Sequence, residues 1–167
     1  MPLKLLIIAH LLADFIFQPT KLIEWKKRHF LGIFVHVLIF ALLSLILLAP
    51  YLIYWETWVV IGAISLVHFL TDKIKIAVLS KYKKYVLPFL LDQAIHLASI
   101  LIGAQFIPKV EFAISDMLII FFLLGIYLIY IFFILFLQKS KSKALIKGKI
   151  IAFTLAFASY FAIAILL

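Results

Sequence analysis

Six stretches of this chain are almost continuously apolar, at residues 3–18, 30–49, 57–79, 87–107, 117–138 and 150–167, with short polar or aromatic clusters between them. The apolar positions do not alternate with polar ones, so the runs predict helices and not the strands of a β-barrel. A helix needs about 20 apolar residues to cross a bilayer, and the first run is the shortest of the six. It carries His10 and Asp14 at its centre and has no small-x-small cleavage site. It therefore reads as a retained helix, ended by Pro19, and not as a signal peptide.

The separators add an orientation. Residues 20–29 form a polar, basic loop with Lys21, Lys26, Lys27 and Arg28, and Trp25 is its expected interfacial anchor. Pro50 interrupts the second run, and Tyr51, Tyr54, Trp55 and Trp58 make an aromatic belt around the next turn. Lys81, Lys83 and Lys84 lie before Pro88, which suits the first turn of a helix. Residues 108–116 form a short loop, and the last basic loop holds Lys139, Lys141, Lys143, Lys147 and Lys149. With Lys73 and Lys75 assigned to the middle basic loop, the three loops hold 4, 5 and 5 lysines or arginines, 14 of the chain's 16. The positive-inside rule then puts these loops in the cytoplasm and both termini on the outer side.

Composition fixes the class. Apolar residues make up 68% of the chain, against roughly 45–50% in a soluble domain, and the mean hydropathy is +1.27. The expected fold is all-α, a polytopic transmembrane bundle of about six spans in the inner (plasma) membrane. Residues 1–107 form a four-helix module and 108–167 two further helices packed on it, one membrane domain in all. The chain has no cysteine, which removes disulfides and thiolate metal sites. The net charge of +9 is confined to loops, so nucleic acid is not the expected partner. The expected partner is the lipid bilayer.

Three polar pairs break the apolar pattern. His10 and Asp14, His68 and Asp72, and Asp92 and His96 are each four apart, so on a helix each pair shares one face. Counted inward from the cytoplasmic flanks, the three aspartates and His36 fall in one layer, about 12 Å deep at about 1.5 Å per residue. His10, His68 and His96 fall one turn deeper. The order reverses in the fourth run, as it must when that helix runs opposite to the first and third. Four helices are thus expected to bring three carboxylates and four imidazoles together.

Imidazole and carboxylate are the ligand set of zinc, iron and manganese. The candidate ligands are His10, Asp14, His36, His68, Asp72, Asp92 and His96, more than one ion needs. Either two metals bind or some members orient the ligating imidazoles. Asp14, Asp72 and Asp92 are the candidate catalytic carboxylates, one of them free to act as general base. Gln18, Lys75 and Gln93 could line the site or meet substrate, although Lys75 is expected to snorkel to the cytoplasmic surface. Ser44, Ser65 and Ser99 stand in no triad-like context. The leading function is a metal-dependent hydrolase at the cytoplasmic leaflet, acting on a lipid or membrane-delivered substrate. The alternatives are a divalent-metal or proton transporter, and a non-catalytic assembly subunit whose polar core fixes packing.

The succession AHLLADFIFQ, a basic stretch, a histidine in the second run, HFLTDKIK and FLLDQAIH resembles the uncharacterised prokaryotic membrane family known as domain-of-unknown-function 3307. The resemblance covers about residues 5–100. It implies a small polytopic membrane protein whose polar positions are His10, Asp14, Gln18, His36, His68, Asp72, Lys75, Asp92, Gln93 and His96, and it brings no activity. More distantly the pattern is similar to membrane-bound metal-dependent hydrolases, but the chain lacks their N-terminal His-rich signature.

Overall fold

The computed structural model describes residues 1–79, 86–110, 116–132 and 143–166. Among them the chain is helical, with no strand. The helices are α1 (Pro2–Leu11), α2 (Thr20–Arg28), α3 (Phe30–Leu47), α4 (Trp55–Leu79), α5 (Val86–Ala104), α6 (Asp116–Phe132) and α7 (Lys143–Leu166). The expected basic loops at Lys81–Lys84 and Lys139–Lys141 lie outside the described residues. Lys143 to Lys149, expected in a loop, are instead the first turns of α7. Lysine and alanine are good helix formers, so the helix begins before the apolar run.

α1 is apolar on all sides, the signature of a helix buried on all sides. Leu5, Leu6, Ile7, Ile8, Ala9, His10 and Leu11 are all buried, and α3, α5, α6 and α7 pack around them. The short first run is therefore the axis of the bundle. It continues into a π-helical turn, Leu12–Ile16, closed by the Phe17 amide donating to the Leu12 carbonyl at 2.8 Å. At Pro19 the chain bends by 89° into α2. The sequence 20–29, expected as a loop, is thus an amphipathic helix. His29 alone joins it to α3 in extended conformation.

Gly32 makes the α2–α3 contact possible. A Cβ there would stand 2.5 Å from the Lys26 backbone nitrogen and 2.9 Å from its Cα, distances that backbone atoms cannot relieve without moving the helix. α4 and α5 pack closely at their other end, where Gly103 faces Val60 and Ile64. There the Tyr51 hydroxyl donates to the Val110 carbonyl at 3.1 Å and Thr57 Oγ1 to the Tyr51 carbonyl at 2.8 Å. Tyr51 is accordingly buried, while Trp55 and Trp58 of the expected aromatic belt are exposed.

Apolar side chains face outward. Phe30, Phe34, Leu38, Leu42 and Ile46 line the outside of α3, and Leu66, Leu70 and Ile74 that of α4. The buried polar residues face the centre. Among the described residues two helices, Phe30–Leu47 and Leu87–Ala104, are long and apolar enough to cross a membrane. The count becomes three if the bent pair of α1 with its π-turn and α2 is one span.

Candidate metal site

Five segments bring the polar set together. α1 and its π-turn present His10 and Asp14, and the wider turn includes Asp14 itself, a local device frequent at functional sites. α3 presents His36. α4 presents His68, Asp72 and Lys75, spaced by four and three residues and so along one face. α5 presents Asp92, Gln93 and His96. α2 adds Lys26. His10, His36, His68, Asp72, Asp92, Gln93, His96 and Lys26 are all buried.

The closest grouping is Asp14, His36 and His68. His36 Nε2 and His68 Nε2 are 2.9 Å apart, and Asp14 Oδ1 lies 3.1 Å from the first and 3.4 Å from the second. Ligand atoms on a tetrahedral ion at 2.0–2.1 Å stand about 3.3–3.4 Å apart. The three atoms thus already form one face of such a shell, and the donor set fits a borderline divalent cation. Two further sets bring ligand atoms within 4.8 Å of one another: His10, His68 and His96, and Asp14, Asp92 and His96. In the first of these the His68 and His96 rings stack, 4.1 Å apart at 23°, so an ion in the plane of one ring is out of the plane of the other.

That stack has its own consequence. His68 stacks on His96 and lies parallel to Phe40, with ring centres 5.3 Å apart. These contacts oppose a flip of the ring, whose Nε2 lies toward Asp14 and His36. His96 makes no hydrogen bond through either ring nitrogen among the described residues. His10 Nε2 lies 3.4 Å from Gln93 Oε1, and His10 Nδ1 3.9 Å from Asp14 Oδ1. Gln93 donates from Nε2 to Asp14 Oδ2 at 3.1 Å and to Asp92 Oδ2 at 3.2 Å. The Gln18 amide nitrogen sits 3.0 Å from both ring nitrogens of His36.

The three carboxylates differ electrostatically. Lys75 does not snorkel outward. Its Nζ lies 2.9 Å from Asp72 Oδ1 and 2.6 Å from Asp92 Oδ2, bridging α4 to α5. Lys26, which the sequence puts among plain flanking charges, lies 2.5 Å from Asp72 Oδ2. The buried charges therefore alternate, Lys26, Asp72, Lys75, Asp92, and cancel. Asp14 has no lysine partner among the described residues; its neighbours are imidazoles and the Gln93 amide. Of the three core carboxylates it is the one not in direct contact with an ammonium among the described residues.

Two members of this arrangement escape the reading of the sequence. Tyr160 of α7 donates its hydroxyl to the Gln93 carbonyl at 3.1 Å, and its ring lies 5.4 Å from that of His10. A single tyrosine in an apolar helix gives no signal. Lys26 had one: it falls four after Leu22, and these two form the buried face of α2. Lys27 and Arg28 beside it disguise that spacing. Tyr127 and Tyr130 belong to packing, against Phe153 and, for Tyr130, Phe15.

The family described as a protein of unknown function (DUF3307) matches residues 3–123, a stretch that holds every polar residue of the site except Tyr160. No curated protein matches the chain, and no solved structure does.

Proposed function

The chain belongs to the DUF3307 family, and we propose that it is a metal-dependent hydrolase of the inner membrane, working in the cytoplasmic half of a bundle of about six spans with both termini outside. The observation that carries this reading is Asp14: a half-buried aspartate with a buried Oδ1 that forms no ion pair with a lysine among the described residues and faces two imidazole nitrogens at 3.1 and 3.4 Å. A buried, uncompensated carboxylate is costly, and a divalent cation ligated by Asp14, His36 and His68 would offset that cost. Zinc, iron and manganese all accept these donors. Such a cation supplies a water of near-neutral pKa and polarises a carbonyl or phosphoryl oxygen.

The chain's own residues would prepare the site. Gln93 holds Asp14 Oδ2, leaving Oδ1 toward the imidazoles. Phe40 and His96 oppose a flip of the His68 ring. Gln18, with its amide turned by half a revolution, would accept a hydrogen bond from His36 Nδ1 and so leave the Nε2 lone pair free to ligate. Asp92 Oδ1 makes no hydrogen bond among the described residues, which leaves it able to take a proton. The Lys75 side chain keeps 17% of its surface exposed and would be the cation that meets an anionic group of a lipid or membrane-delivered substrate.

The test is a hydrolysis panel of phospholipids and lipid-linked esters, run with purified protein in parallel with metal flux in liposomes. Turnover without flux, abolished by chelator and by Asp14→Asn, is expected. Metal-dependent flux without turnover would replace the hydrolase by a transporter, and neither would leave a packing network.

A further inference from the structure

We infer that Lys26 is a positioning residue: by holding Asp72 it keeps that carboxylate off the ion and leaves one vertex of the coordination shell free of protein. The inference rests on the metal reading above and concerns what keeps the site open. Asp72 Oδ2 lies 3.5 Å from His36 Nε2 and 3.9 Å from His68 Nε2, just outside the face formed with Asp14. It is the nearest candidate for a fourth ligand. Four protein ligands close a tetrahedral ion, as in structural sites, whereas three leave a position for water or substrate, as in catalytic ones. The same Oδ2 is the atom that Lys26 Nζ approaches to 2.5 Å, while Lys75 occupies Oδ1 at 2.9 Å. Each oxygen thereby has an ammonium closer to it than either imidazole.

Charge balance accounts for a second ammonium in the core but not for its seat on Asp72 Oδ2. Lys75 already touches both Asp72 and Asp92. Lys26 arrives from a separate helix, folded back by the 89° bend and seated by the close approach at Gly32. The bend, the one-residue link at His29 and the absent Cβ at Gly32 together place that one ammonium on that one oxygen.

The full-length protein in detergent, stripped by chelator and reloaded with Co2+ alone, reads the vertex through its visible spectrum. In wild type and Lys26→Arg, added azide is expected to shift the spectrum, because a position is open to it. Lys26→Met is expected to hold Co2+ roughly tenfold or more tighter, the scale on which outer groups move metal affinity, and to ignore azide. Lys75 remains on Asp72 in that variant, so the carboxylate keeps a cation. Adding Asp72→Asn to Lys26→Met is expected to restore the azide response. Gly32→Ala, which displaces α2 with Lys26 intact, should act in the direction of Lys26→Met and serves if that protein does not fold. Tighter binding with the azide response kept would mean that lost charge alone is felt. That result, or unchanged or weaker binding in a folded Lys26→Met, overturns the assignment. A wild type that takes up no Co2+ overturns the metal reading itself, and this inference with it.

Discussion

Asp14, Asp72 and Asp92 look alike in sequence, each four residues from a histidine in an apolar run, and the fold makes them different. Asp72 and Asp92 are fastened to lysines, whereas Asp14 faces imidazoles. Removing one partner of a buried ion pair costs about 3–5 kcal/mol, because the other charge is left behind. Asp72→Asn, which strands Lys26, should therefore lower stability by about that amount even in chelator. Asp14→Asn strands no ammonium, and in chelator it should melt close to the wild type. Thermal unfolding in detergent checks both, and equal destabilisation by the two substitutions would contradict the distinction. On α7, Tyr160→Phe removes one donor to the Gln93 carbonyl and should cost about 1 kcal/mol; a loss within error would mean that the carbonyl finds another partner.

Elements place these residues, and they differ in how readable they are. The His–Asp pairs of α4 and α5 were legible because the helical period is the only spacing needed to read them. The convergence of His36 with Asp72 was legible from depth, since straight helices from one surface reach one layer at equal counts, and Asp14 joins them although the chain bends by 89° between it and the Lys21 from which its depth is counted. α2 was not. Its polar sequence reads as a loop, and what makes it a packed helix is tertiary, the contact that Gly32 admits. Lys75 was misread for a related reason: snorkelling is the rule for a lysine near a helix end, but two carboxylates within 2.9 Å outweigh solvent. The π-turn at Asp14 leaves no mark in composition either. Gly32→Ala tests the element directly. It should cost about 1–3 kcal/mol, as overpacking does, and expose Leu22, measured by labelling a cysteine placed there. An unlabelled, fully stable variant would mean that α2 adapts without moving.

At the scale of the molecule, the apolar residues form both the outside and the bundle axis, and the buried ionisable ones among the described residues gather in one cluster. That arrangement suits a chain surrounded by hydrocarbon, where ionisable groups face a bundle interior. The chain has no cysteine, so any single introduced cysteine is a unique reporter. The proposed orientation predicts that Lys27→Cys is labelled by an impermeant thiol reagent only from the cytoplasmic side and Lys109→Cys only from the outer side. The reverse pattern would invert the topology and move the site to the other leaflet.

The central claim is that Asp14, and not the three aspartates alike, anchors a metal. Elemental analysis of protein purified without chelator or polyhistidine tag tests it directly, comparing wild type, Asp14→Asn and Asp92→Asn. About one equivalent of zinc, iron or manganese is expected in wild type, lost with Asp14→Asn and retained with Asp92→Asn. No metal in folded wild type, or equal loss from both variants, would contradict it.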